Sequence, residues 1–152
     1  AVMTLCEAAA YYKDRGITLY EQMERIFKKY GYFEEKTVSY TLKGIEGIEK
    51  IKSIMEGYRK NPPRTAGGYK ILKIRDYKSD TVTDLVTGEV APTNLPKSDV
   101  LYYEMDDDAW CAVRPSGTEP KIKFYFGVKG NSREDAKERL NRLMNDDVFK
   151  VQ

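Results

Sequence analysis

Apolar residues recur at helical spacing in two N-terminal stretches, and the pattern then switches to strand alternation. Val2, Leu5, Cys6, Ala9 and Tyr12 predict a helix over residues 1–13, stopped by Gly16. No capping residue precedes it and its apolar stripe starts at full strength on residue 2, so the chain is expected to begin inside a larger unit. Thr18 and Glu21 have capping-box spacing, Leu19, Met23, Ile26, Phe27 and Tyr30 form one stripe, and Gly31 ends a second helix. Two helices make a poor core, so both stripes are expected to need a partner.

From Glu35 the texture changes. Val38, Tyr40 and Leu42 alternate on one face of a strand over residues 37–42. Ile45, Ile48, Ile51, Ile54, Met55 and Tyr58 then mark a helix closed by Asn61-Pro62-Pro63. Strands are predicted over 69–77, 100–105, 109–113 and 122–128, with Asp106-Asp107-Asp108 as a turn. Residues 80–99 read as a loop with a Thr87-Gly88 turn and room for a short strand over 81–86. Ser132 and Asp135 start a last helix that faces Ala136, Leu140, Leu143 and Met144 inward. The order β-α-β-β-β-β-α predicts an α+β domain, an antiparallel sheet with helices on one face.

Composition narrows the chemistry. The 152 residues carry 26 Lys+Arg against 24 Asp+Glu, a balance that implies no dedicated polyanion binder, so nucleic acid and membrane surfaces are not expected partners. Two cysteines are too few for a disulfide framework and suit a reducing cytoplasm, and no apolar run has the length of a membrane span. Histidine is absent. That excludes Ser-His-Asp and Cys-His triads, His-ligated metals and an imidazole acid/base.

One segment carries chemical content: Arg114-Pro115-Ser116-Gly117-Thr118-Glu119-Pro120-Lys121. Arg114 offers a planar fork for two phosphate oxygens, Ser116 and Thr118 offer hydroxyls, and Gly117 lets backbone N–H groups come close. Lys121 adds a second charge, and the two prolines stiffen the loop ends. Glu119 does not fit a pure anion trap and can orient a neighbouring cation. Composition alone fits a polar hairpin turn as well as an oxyanion cradle.

This run, continuing into Ile122-Lys123-Phe124-Tyr125, resembles the phosphate-binding loop of the α-D-phosphohexomutases, the phosphoglucomutase/phosphomannomutase family. Residues 1–34 resemble the helical end of that family's third domain, and residues 35–152 its fourth, a TATA-box-binding-protein-like fold. The resemblance implies that Arg114, Ser116, Gly117 and Thr118, with Lys121 as a weaker candidate, hold the phosphate of a sugar phosphate. It also implies a parent enzyme that interconverts hexose 1-phosphate and 6-phosphate through a hexose 1,6-bisphosphate, with Mg²⁺ at a phosphoserine. The family's phosphoserine, metal and sugar-reading loops have no counterpart in this sequence. Catalytic residues and metal ligands would therefore lie in missing N-terminal domains of the same chain, and this part alone is expected to be inactive. Asp106-Asp107-Asp108 lacks the alternating glycines of the metal loop and reads as a solvated turn. A free-standing phosphate-ligand or RNA-binding module is the rival reading.

Overall fold

The computed structural model describes residues 1–151. In chain order its elements are α1 (Val2–Lys13), α2 (Leu19–Tyr30), β1 (Tyr32–Thr41), α3 (Gly44–Lys60), β2 (Thr65–Ala66), β3 (Tyr69–Asp76), β4 (Thr81–Asp84), β5 (Val90–Ala91), β6 (Leu101–Met105), β7 (Trp110–Pro115), β8 (Lys121–Gly130) and α4 (Arg133–Met144), followed by a 3-10 turn at Asp147–Phe149. The strands run β1-β8-β7-β6-β3-β4-β5 across one antiparallel sheet, with β2 paired to β3 off that path. The α+β class expected from the sequence holds.

Alternation along the strands separates two faces. Ile122, Phe124, Phe126 and Val128 of β8 point to one side and are buried, joined by Leu101, Tyr103, Met105, Cys111 and Val113. Ile51 and Met55 of α3 and Leu140 and Leu143 of α4 close this core. Phe149 is 1% exposed and lies at its centre, with ring centroids 5.3 to 6.3 Å from those of Tyr103, Phe126, Tyr58 and Phe124. The other face carries no helix from α3 or α4 and is half-exposed. Trp110 lies flat there against Tyr102, rings 5.6 Å apart, over Gly127, where an added Cβ would stand 2.3 Å from the indole. Burial with no charged neighbour pushes the Cys111 thiol well up, which suits an inert packing residue.

Several expectations are adjusted. β1 starts at Tyr32 rather than at 37, because Glu34 and Lys36 occupy inward positions opposite Val128 and Phe126 and mask the alternation. Residues 80–99 contain two strands, β4 and β5, turning at Thr87-Gly88, where Gly88 takes φ +80°. β2 and β5 are two residues long, too short to leave a period. The three aspartates do form a turn: Asp106 Oδ1 accepts the Lys70 N–H at 2.9 Å, Asp108 pairs with Lys129, and Asp107 with Arg139.

The capping box of α2 is complete, with Thr18 Oγ1 accepting from the Glu21 N–H and Glu21 Oε2 from the Thr18 N–H. Neither α1 nor α2 buries a residue, and Met3, Leu5, Met23 and Ile26 remain exposed. α2 is tied to the sheet domain by Arg133, paired with Glu24 and lying over the Phe27 ring, and by Phe27 stacked on Tyr32 of β1 at 5.5 Å.

Candidate phosphate-binding site

β7 and β8 place Arg114 opposite Lys123 and Pro115 opposite Ile122, so the loop between them is a hairpin tip with fixed ends. The Ser116 N–H donates to the Lys121 carbonyl at 2.7 Å and closes it. Pro120 is held from the side, its carbonyl accepting the Leu42 N–H at 2.9 Å. Within the tip, Ser116 Oγ accepts from the N–H groups of Thr118 and Glu119 at 3.5 and 3.3 Å. These are long for hydrogen bonds, so two backbone donors converge on one point without being well satisfied there.

Gly117 takes no left-handed φ, and a Cβ on it would meet nothing within 4 Å. The fold does not require glycine at this position. What its missing side chain provides is open space at the tip, beside the converging N–H groups.

Of the cations near the tip, Lys121 is paired and Arg114 and Lys123 are not, while Lys52 of α3 lines the hollow beside Ser116 and Glu119. Lys121 Nζ donates to Glu119 Oε2 at 2.9 Å, and this contact and charge hold the Glu119 carboxyl below its ordinary range. Glu119 thus answers Lys121. Arg114 and Lys123 share the open face, directly opposite each other, and neither has a carboxylate partner among the described residues. Like charges at cross-strand positions disfavour the fold slightly, and an anion between them would reverse the sign of that interaction. Lys123 was not among the site residues read from the sequence. The signal for it was the strand period, since a residue two beyond Lys121 shares its face.

Arg114, Ser116, Gly117 and Thr118 are therefore brought together at one tip, while Lys121 is nearby but already paired. Among the described residues, no three His, Cys, Asp or Glu side chains converge as a metal site. The residues present do not fit a Mg²⁺ site.

The arrangement is a strand-loop-strand tip of N–H donors, hydroxyls and cations at the end of two interior strands of an α+β sheet, and comparison with known proteins gives the chain a family. Residues 63–145, more than half of the chain, match the model of the phosphoglucomutase/phosphomannomutase C-terminal domain. The chain belongs to that family. The phosphoglucomutases of Staphylococcus aureus strains MSSA476 and MRSA252 are 37% and 36% identical to it over 143 residues, 94% of this chain and 26% of theirs. The chain thus spans about a quarter of the length of these relatives. The open form of pp63/parafusin, a phosphoglucomutase from Paramecium, superposes on it with a TM-score of 0.50 at 18% identity, over 84% of this chain and 21% of that one. That likeness concerns the fold alone.

Proposed function

We propose that this chain is the C-terminal part of a phosphohexomutase and that its loop holds the substrate phosphate that is not being transferred. The observation that carries the reading is the hairpin tip: the Thr118 and Glu119 N–H groups converge on Ser116 Oγ, and Arg114 and Lys123, on the two strands that carry the tip, form no ion pair among the described residues. Arg114 supplies the fork, Ser116 and Thr118 their hydroxyls, Gly117 the room, and Lys123 a second charge. Lys121, drawn to Glu119, acts at longer range.

The parent enzyme would interconvert hexose 1-phosphate and 6-phosphate through a hexose 1,6-bisphosphate. Gripping one phosphate fixes the sugar so that its other end faces the transfer chemistry, which makes remote binding energy available for orientation. A trap made of charge and backbone donors ignores the ring hydroxyls, so it can hold either end of the sugar in turn. Nucleophile and Mg²⁺ belong to the domains that precede this part, of which residues 1–34 would be the last helical piece. The exposed stripes of α1 and α2 support that division, being faces that a third domain would cover.

The test is kcat/KM of Arg114→Ala on hexose 1-phosphate in the full-length enzyme, with circular dichroism confirming the fold. Losing charged hydrogen bonds of roughly 1.5–3 kcal/mol each should lower it about ten- to a hundredfold, part of it in kcat. Unchanged kinetics in a folded variant would reduce the loop to a turn. In a coupled assay the isolated chain should show background only. Tight, steeply salt-dependent binding of oligonucleotides to it would favour the RNA-binding alternative.

A further inference from the structure

On the helix-bearing side of the sheet, the end of α3 and the β3–β4 hairpin enclose a second pocket of about 310 Å³. It lies on the opposite face from Arg114 and Lys123. Ile74, Leu85 and Leu101 form its apolar wall, and the Arg59–Asp76 ion pair, with side chains 18% and 14% exposed, forms its polar one.

Counting donors and acceptors in the polar wall indicates what it can take. Asp76 Oδ2 accepts from Arg59 Nε at 3.0 Å and from Ser79 Oγ at 2.9 Å. Its Oδ1 accepts from Arg59 Nη2 at 3.3 Å and from the Lys78 N–H at 3.0 Å. Four bonds fill a carboxylate, so Asp76 has nothing left to offer a ligand. Arg59 spends Nε and Nη2 on Asp76 and Asp99, and its Nη1 has no partner among the described residues. Arg64 lines the same pocket with its whole guanidinium unpartnered among the described residues, and so does the Thr83 hydroxyl. The charged capacity left in this wall is therefore all donor, in two guanidinium groups, while the Thr83 hydroxyl can donate or accept and Thr81 Oγ1, bonded to Ser79 Oγ at 2.8 Å, still accepts.

We propose that this pocket binds a small organic carboxylate, its oxygens held by Arg64, the free edge of Arg59 and Thr83, and its apolar body against Ile74, Leu85 and Leu101. Two guanidinium groups match a planar carboxylate. The carboxylates of Asp76 and Asp99 beside them disfavour a dianion such as phosphate. The volume leaves room for a short aliphatic body, as in a six-carbon acid.

Hexanoate titrated into the ¹⁵N-labelled chain tests this, with hexanol as the neutral control. The amides of Thr81, Thr83 and Leu85 should shift saturably with hexanoate and not with hexanol. Arg64→Ala, an exposed residue whose loss threatens no packing, should weaken binding about tenfold, and Thr83→Val less. Equal responses to hexanoate and hexanol, an unchanged affinity in Arg64→Ala, no saturable shift, or inorganic phosphate shifting the same amides more strongly would each overturn the proposal.

Discussion

Replacing Lys123 with Met should make the fold slightly more stable and the phosphate site weaker, a pair of opposite signs that few other roles would produce. Directly opposite residues on paired strands have Cβ atoms about 5 Å apart, and the charged ends of Arg114 and Lys123 can splay to about 7 Å in solvent. In water, two like charges at that distance repel by about 0.6 kcal/mol, and salt reduces this further. Removing one charge while keeping a stem of similar length should therefore stabilise the chain by about 0.3–0.6 kcal/mol. For a domain of this size that is about 1–2 °C in Tm. The same change removes one cation from the proposed phosphate site, where an exposed contact would be worth about 1 kcal/mol, or fivefold in affinity. The assay is thermal unfolding of wild type and Lys123→Met, with and without inorganic phosphate, at low and high salt. Wild type should start lower at low salt, gain more from phosphate, and lose its disadvantage at high salt. A Lys123→Met protein that melts lower, or that phosphate protects as well as wild type, would refute the shared-site argument.

Gly117→Ala should leave Tm unchanged, because its Cβ enters open space, yet weaken phosphate binding; the same titrations with and without phosphate separate the two. Gly130→Ala should cost about 1–3 kcal/mol or more in urea unfolding, since its Cβ would stand 2.4 Å from the backbone nitrogen of Ala136 and force β8 and α4 apart. Burial pushes the Asp76 carboxyl up, but hydrogen bonds from Arg59, Ser79 and the Lys78 N–H outweigh it and leave the group below its ordinary value. Its contribution is thus complete at neutral pH and lost as pH falls below about 4 through the still lower folded value, so Asp76→Asn should flatten that acid limb in a series of unfolding curves. Amide exchange should be faster in α1, which buries nothing, than over Ile122–Val128; equal protection would mean that α1 docks firmly on the sheet domain.

The sequence revealed elements whose residues meet a single demand. β8 alternates cleanly because one of its faces is fully buried, and α4 shows its cap and stripe because both lie in consecutive residues. β1 was half-hidden because edge position lets Glu34 and Lys36 sit on the inward face with their heads in water. Phe149 could not be foreseen as the centre of the core, since it stands in a three-residue turn with no period around it. In the loop, residue types suggested a candidate cradle, and the paired and unpaired cations emerged only from the structure. Glu119 was ambiguous by composition until its distance to Lys121 assigned it.

The pairing of β1 with β8 joins the first strand of the sheet to the last, with Thr41 opposite Lys121. Some eighty residues must be made before that bond can form, and a chain emerging N-terminus first holds β1 without its strand partner β8 throughout. Waiting strands recruit other chains. The run Glu34-Glu35-Lys36 therefore has a second consequence: placed within the strand, it keeps the unpaired edge charged and hydrated until β8 arrives. The same charges that obscured β1 as a strand protect the nascent protein from aggregating through it.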